Sequence, residues 1–97
     1  MGALKVDLVR EWLVADNPEA SLLDVRVFSD ALLNYLEATD NLQKNGAIVA
    51  DPRTGAPFEN PYLKIQERSG AILRKFSFLQ TDATLTKCRE ALENEIE

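Results

Sequence analysis

With 97 residues, 45% of them apolar, and a net charge of −5, the chain has material for one small domain and is too apolar to be globally disordered. The single cysteine, Cys88, excludes an internal disulfide, and the lack of histidine excludes a Cys/His metal site. No apolar run approaches the roughly 18 residues needed to span a bilayer, and the start lacks the basic-then-apolar profile of a secretory signal. A soluble, cytoplasmic protein with no membrane association is expected.

Leu4 to Val14 reads as a short first helix, with Val6, Val9 and Leu13 on one side and Trp12 beside them in the core. Asp16-Asn-Pro18 punctuates its end. Asp24 is the expected N-cap of a longer helix running to about Lys44. Its apolar stripe is Val25, Phe28, Leu32, Tyr35, Thr39 and Leu42, widened by Ala31 and Leu36. Asn45-Gly46 supplies a left-handed stop.

Residues 47–58 change character. Ala47-Ile-Val-Ala50 is short and β-prone, Asp51-Pro-Arg-Thr-Gly55 is turn chemistry, and Ala56-Pro-Phe58 is a return strand held to a sheet edge by its proline. A small β-hairpin is expected there. Asn60 then caps a third helix from Pro61 to Ser77 or Phe78, because proline at the first helical position loses no needed hydrogen bond. Tyr62, Ile65, Ile72, Leu73, Phe76 and Leu79 share one arc of that helix. Lys64, Arg68 and Lys75 form a stripe bordering it, within about 40° of one another. Leu63 and Phe78 fall outside the arc, as helix-end residues or as contacts to another subunit. Thr81 is the expected cap of a last helix with a narrow apolar seam of Leu85, Cys88, Leu92 and Ile96, spacing that more often packs within its own domain than against a partner. The expected fold is mainly α: about four helices, with a hairpin between the two long central ones, in one domain spanning residues 1–97.

The charge is unevenly placed. Residues 1–43 carry Lys5, Arg10 and Arg26 against eight acidic side chains, while residues 44–75 carry Lys44, Arg53, Lys64, Arg68, Arg74 and Lys75 against only Asp51, Glu59 and Glu67. The middle of an acidic chain is therefore net positive. Catalytic chemistry is not expected. No histidine serves as general base, Cys88 lies on an apolar seam and reads as a small buried hydrophobe, and the glycines form no phosphate loop. No carboxylate pair stands out from the many on the helices, so the expectation is a non-enzyme with no cofactor and no metal.

The order of parts is more telling than any one of them. A long helix bearing Tyr35, then Gly46-Ala-Ile-Val49, a Pro/Gly turn, Glu59-Asn-Pro-Tyr-Leu63, and a helix ending near Leu79 with Thr81 following resembles the small subunit of phage terminase. The branch it resembles has an Asn-Pro helix start after a glycine-led hairpin, and the likeness covers roughly residues 22–85. Family members commonly continue as Leu-Thr-Pro-Ser with an Arg soon after, where this chain has Thr81-Asp-Ala-Thr-Leu85. The resemblance implies a DNA-packaging protein of a phage or prophage, working in the cytoplasm of the bacterial host. It would recognise double-stranded viral DNA, form a homo-oligomer and present the DNA to a large ATPase/nuclease subunit. Read with the charge pattern, it places DNA contacts at Arg53, Lys64, Arg68, Arg74 and Lys75, and oligomer contacts at Leu63, Phe78, Leu85 and Leu92. Two other readings stay open. One is a helical adaptor or regulatory module that binds protein and no DNA. The other is a helix-turn-helix regulator, disfavoured by the long central connection but still open at the short link Asp16–Leu23.

Overall fold

A computed structural model describes residues 5–96, and for 94–96 the backbone only. Its elements, in chain order, are α1 (Val6–Asp16), α2 (Leu22–Asn45), β1 (Ile48–Ala50), β2 (Pro57–Glu59), α3 (Tyr62–Lys75) and α4 (Asp82–Ile96). This is the expected mainly α architecture, four helices with an antiparallel hairpin between α2 and α3. Leu4 and the side chain of Ile96 lie outside the described residues.

The first helix buries Val9 and Leu13 completely, leaves Val6 and Trp12 half-buried, and ends where Asn17 takes over. The second starts earlier than expected. Ser21, not Asp24, is its cap: the Ser21 hydroxyl accepts from the Leu23 amide at 3.2 Å, and Asp24 falls in the first turn, where a carboxylate complements the positive helix end. Val25, Phe28, Ala31 and Leu32 are buried as the stripe requires, but so are Ser29 and Ala38. The Ser29 hydroxyl disposes of its polarity within the helix by donating to the Val25 carbonyl at 2.7 Å. Gly46 ends α2 at φ 81°, ψ 171°, a positive-φ extended conformation rather than the left-handed helical one, and so aims the chain straight into β1.

The hairpin register pairs Ile48 with Glu59, Val49 with Phe58 and Ala50 with Pro57. Gly55, at φ 73°, closes its turn with the amide donating to the Asp51 carbonyl at 2.8 Å. Little of it is buried, and it stands at the far end of the α2–α3 pair.

The antiparallel α2–α3 pair is the most extensive packing in the molecule, and it is made through small residues. Ser69 and Gly70 are the buried residues of α3, while Ile65, Ile72, Leu73 and Phe76 are only partly covered. A Cβ on Gly70 would stand 3.4 Å from the Tyr35 ring, a contact that an alanine can make without moving the helices apart. The third helix stops at Lys75, short of the expected Ser77 or Phe78. The following turn, with the Leu79 amide donating to the Phe76 carbonyl at 3.0 Å, drops Leu79 into the core from outside any helix. Phe76 meets Phe28 edge-on, with ring centroids 6.1 Å apart.

The last helix packs on α1, and Thr84 and Cys88 are its fully buried residues. Leu92 packs against the core alongside Ala91, whereas Leu85 is 42% exposed, so the expected seam is rotated toward Thr84. Burial pushes the Cys88 thiol pKa up, in keeping with a structural residue.

Two substitutions test this packing. Gly70→Ala removes a flexible residue from a helix interior and adds only a tight contact, so thermal melts should show stability unchanged or raised by up to about 1 kcal/mol, whereas Gly70→Leu should cost about 1–3 kcal/mol by wedging the helices apart. The Thr84 hydroxyl is buried without a hydrogen-bond partner, and the Gln80 carbonyl one turn back accepts from Asn17. Thr84→Val should therefore raise the denaturation midpoint, by an amount worth about 1–2 kcal/mol, and a loss of stability would mean that this hydroxyl is satisfied.

Candidate nucleic-acid interface

The positively charged middle of the chain is organised by Asn60. The sequence places it before a proline, and the fold buries it, only 3% exposed, where α2, the hairpin and α3 meet. Its side-chain oxygen accepts from the Tyr62 amide at 3.0 Å, which caps α3, with Pro61 already in helical conformation at φ −57°, ψ −24°. The side-chain nitrogen donates to Asn41 Oδ1 and to the Gly46 carbonyl, each at 2.9 Å. The backbone amide donates to the Ala47 carbonyl at 2.8 Å, extending the hairpin ladder by one bond. One residue thus ties the end of α2, both ends of the hairpin and the start of α3.

Polar contacts along the helix pair add to this. Gln66 donates to the Thr39 hydroxyl at 3.1 Å and the Tyr62 hydroxyl to Glu37 at 3.4 Å. The basic residues on α3 are therefore carried on a fixed support. Lys64, Arg68 and Lys75 are all exposed on one side of the helix. Among the described residues, the ion pairs are Arg10–Asp7, Arg10–Asp30 and Lys44–Asp40, none of which involves the stripe. Its charges are accordingly free to meet an external anion.

The five expected DNA-contact residues do not form one patch. Arg68 lines a groove between α2 and α3 with Val27, Asp30, Asn34, Ile65 and Ile72. Arg74 is on the opposite flank of α3, lying back over Gly70 beside Tyr35, in a second groove whose floor includes Leu36, Leu73 and Leu85. Arg53 is exposed at the hairpin turn, its amide donating to Asp51 Oδ1 at 2.8 Å. Lys64 and Lys75 flank Arg68 along the helix, about one turn before it and two after. Of the expected oligomer contacts, Phe78 is 62% exposed and Leu85 partly so, while Leu63 is half-buried and Leu92 is engaged with the core.

Sequence reasoning did not foresee Asn41 as the partner of Asn60, nor that α2 and α3 would frame grooves on both sides. No local pattern signalled the first: Asn41 falls on the side of α2 away from its apolar stripe, and its role depends on a partner 19 positions away. Among the described residues, no three potential metal ligands converge, and no helix is long and apolar enough to cross a membrane.

Compared with known proteins, the chain matches no protein-family model, no curated protein and no solved structure.

Replacing Asn60 with Ala removes the α3 cap and leaves the Asn41 side chain and the Gly46 carbonyl short of a donor at a partly buried junction. The expected loss is about 2–3 kcal/mol in chemical denaturation, more than the roughly 1 kcal/mol of a lone cap. Asn60→Asp keeps the acceptor for Tyr62 but aims an oxygen at two others, so it should fall no less far.

Proposed function

We propose that the chain is the small subunit of a phage terminase, binding double-stranded DNA and presenting it to a large ATPase/nuclease subunit in the bacterial cytoplasm. The observation that carries this reading is the unpaired basic stripe on α3, a helix that follows a glycine-led hairpin tipped by Arg53 and starts at the buried Asn60 cap. Duplex DNA carries regularly spaced phosphates, and a rigid helix with cations one and two turns apart presents several of them to one backbone at once.

Lys64 and Lys75 form the outer part of that surface. Arg68 sits between them at the groove edge, and Arg53 supplies a further cation at the hairpin turn. So few phosphate contacts per protomer make binding weak, and an overall charge of −5 weakens it further. Assembly of several protomers on one duplex multiplies the contacts and restores affinity. The role asks for no catalytic group in this chain, because ATP hydrolysis and DNA cleavage belong to the large subunit.

A second reading, a protein-binding adaptor without DNA affinity, is favoured by one observation: Leu22, Leu23 and Phe78 are 76%, 68% and 62% exposed. Those leucines also open α2 where a helix-turn-helix protein would place polar base-reading side chains.

Titration of duplex DNA at a series of salt concentrations separates the readings. For the wild-type protein the logarithm of affinity should fall linearly with the logarithm of salt. Lys64→Glu with Lys75→Glu should weaken binding to every sequence alike and flatten the slope by about 0.9 for each phosphate that is no longer neutralised. Lack of duplex binding by the wild-type protein even at low salt would favour the adaptor.

A further inference from the structure

At the end of the molecule away from the hairpin, the α1–α2 link and the α3–α4 link lie side by side. Asn17 ties them: its side chain accepts from the Gln80 amide at 2.7 Å and donates to the Gln80 carbonyl at 2.9 Å. The Ala20 amide donates to the Asn17 carbonyl at 3.0 Å, which closes the first link into a tight turn. Between the links is a cleft of about 470 Å³ whose lining includes Asn17, Pro18, Glu19, Asp24, Phe78 and the buried Leu79. Both walls are held by hydrogen bonds, so the cleft exists before anything enters it.

Two properties set this end apart. The first is exposed apolar surface. Among the described residues the most exposed large apolar side chains are Leu22, Leu23, Ile48 and Phe78, and all but Ile48 are here. Leu22 and Leu23 open α2 between Ser21 and Asp24, which both line the cleft. Phe78 forms part of the cleft wall, braced by Phe76 with ring centroids 5.8 Å apart. The second property is charge. Residues 16–25 and 76–83 carry Asp16, Glu19, Asp24 and Asp82 and no basic residue. None of these four takes part in the ion pairs among the described residues. Of the cations next in sequence, Arg26 is about 160° round α2 from Asp24, Lys75 belongs to the α3 stripe, and Lys87 sits over the Trp12 ring. Asp24 and Asp82 also complement the positive ends of their helices, but Glu19, in the link, has no such role.

We infer that this end is a docking site for a basic amphipathic helix of another protein. One apolar side chain of that helix is seated in the cleft against Phe78 and Leu79, with Lys or Arg about one turn to either side. The exposed apolar surface calls for an apolar occupant, and the charge selects which one. An anionic lipid surface or a nucleic acid would bring negative charge to these carboxylates. A two-fold contact with a second copy would set the carboxylates against their own copies. A helix with apolar residues three and four apart can fill the cleft and cover Leu22 and Leu23 from one face, while its flanking cations meet Glu19 and Asp24. The apolar anchor supplies most of the affinity, because exposed ion pairs contribute little, and the charges set selectivity and the rate of approach. The inference stands independently of DNA binding by the α3 stripe.

A displayed library of random peptides of about 18 residues, selected on the immobilised full chain, tests it. The selected peptides should place Leu, Phe or Trp three and four positions apart, with Lys or Arg beside them. Binding of the best of them, synthesised and followed by fluorescence anisotropy, should weaken as salt rises. Phe78→Ser and Leu23→Ser should each weaken it by at least about fivefold, and Glu19→Lys with Asp24→Asn by a similar factor with a flatter salt dependence. Ile48→Ser, which removes a comparably exposed side chain at the hairpin, should leave it unchanged. Far-UV circular dichroism should show all these variants as helical as the wild type, and Phe78→Ser should leave duplex affinity as it is in the wild type. A library that yields no binder overturns the inference, as do binders that are acidic or lack the helical apolar spacing. So does binding that survives both Phe78→Ser and Leu23→Ser. Self-association of the wild-type chain that Phe78→Ser abolishes also overturns it, because the occupant is then a second copy.

Discussion

A buried primary amide has two donors and an acceptor that must all find partners, since each one left dry costs on the order of 1–3 kcal/mol. Asn60 meets that demand with groups from three segments: Tyr62 at the start of α3, Asn41 within α2, and the carbonyl of Gly46 where α2 ends. These bonds can all be made only when the helix end, the hairpin base and the next helix start are in one relative position. The hairpin itself buries almost nothing and has only three residues per strand, too little to orient itself. Its direction, and therefore the place of Arg53 relative to α3, follows from Asn60.

The close approach of α2 and α3 has a different origin. The buried positions between them are small, Ala38, Ser69 and Gly70, while Leu73 and Phe76 pack on the core and Ile65 and Ile72 line one flank. With no third helix over this pair among the described residues, side chains that would be core in a thicker bundle line shallow grooves on either side. Lys64 and Lys75 can face solvent on a fixed helix because that helix is held on its opposite side by a narrow, well-packed line of contact.

A second asparagine does for the other end of the molecule what Asn60 does for the hairpin end. The Asn17 side chain accepts from the Gln80 amide at 2.7 Å and donates to the Gln80 carbonyl at 2.9 Å, pairing with that residue's backbone as a strand would. It also donates to the Leu13 carbonyl at 3.0 Å, closing the end of α1. The link between α3 and α4 is thereby fixed to the end of α1, 63 positions away in sequence, and Leu79 is positioned to complete the core around Val9, Leu13, Val25 and Phe28. The Lys87 ammonium, 5.9 Å from the centre of the Trp12 ring, adds a weaker tie between α4 and α1.

What the sequence determined by itself is whatever depends on neighbours a few positions apart. Helical periodicity marked Val9, Leu13, Val25, Phe28 and Leu32 as core; proline and glycine marked the turn at residues 51–55; the Asn60-Pro61 pair marked a helix start; and the spacing of Lys64, Arg68 and Lys75 placed them on one face. Ser21 was missed as a cap because Asp24 is an equally good local candidate, and only the path of the chain after Pro18 decides between them. The end of α3 at Lys75 was missed because apolar spacing continues through Leu79, although Leu79 reaches the core by a turn. Tertiary structure alone decided the partners of Asn17 and Asn60, the burial of Ser69 and Gly70, and the separation of Arg74 from Arg68 onto opposite flanks. Each of these depends on which segment lies across from which, and that is fixed by satisfying buried polar groups and matching side-chain volumes between residues far apart in the chain, quantities that no local pattern carries.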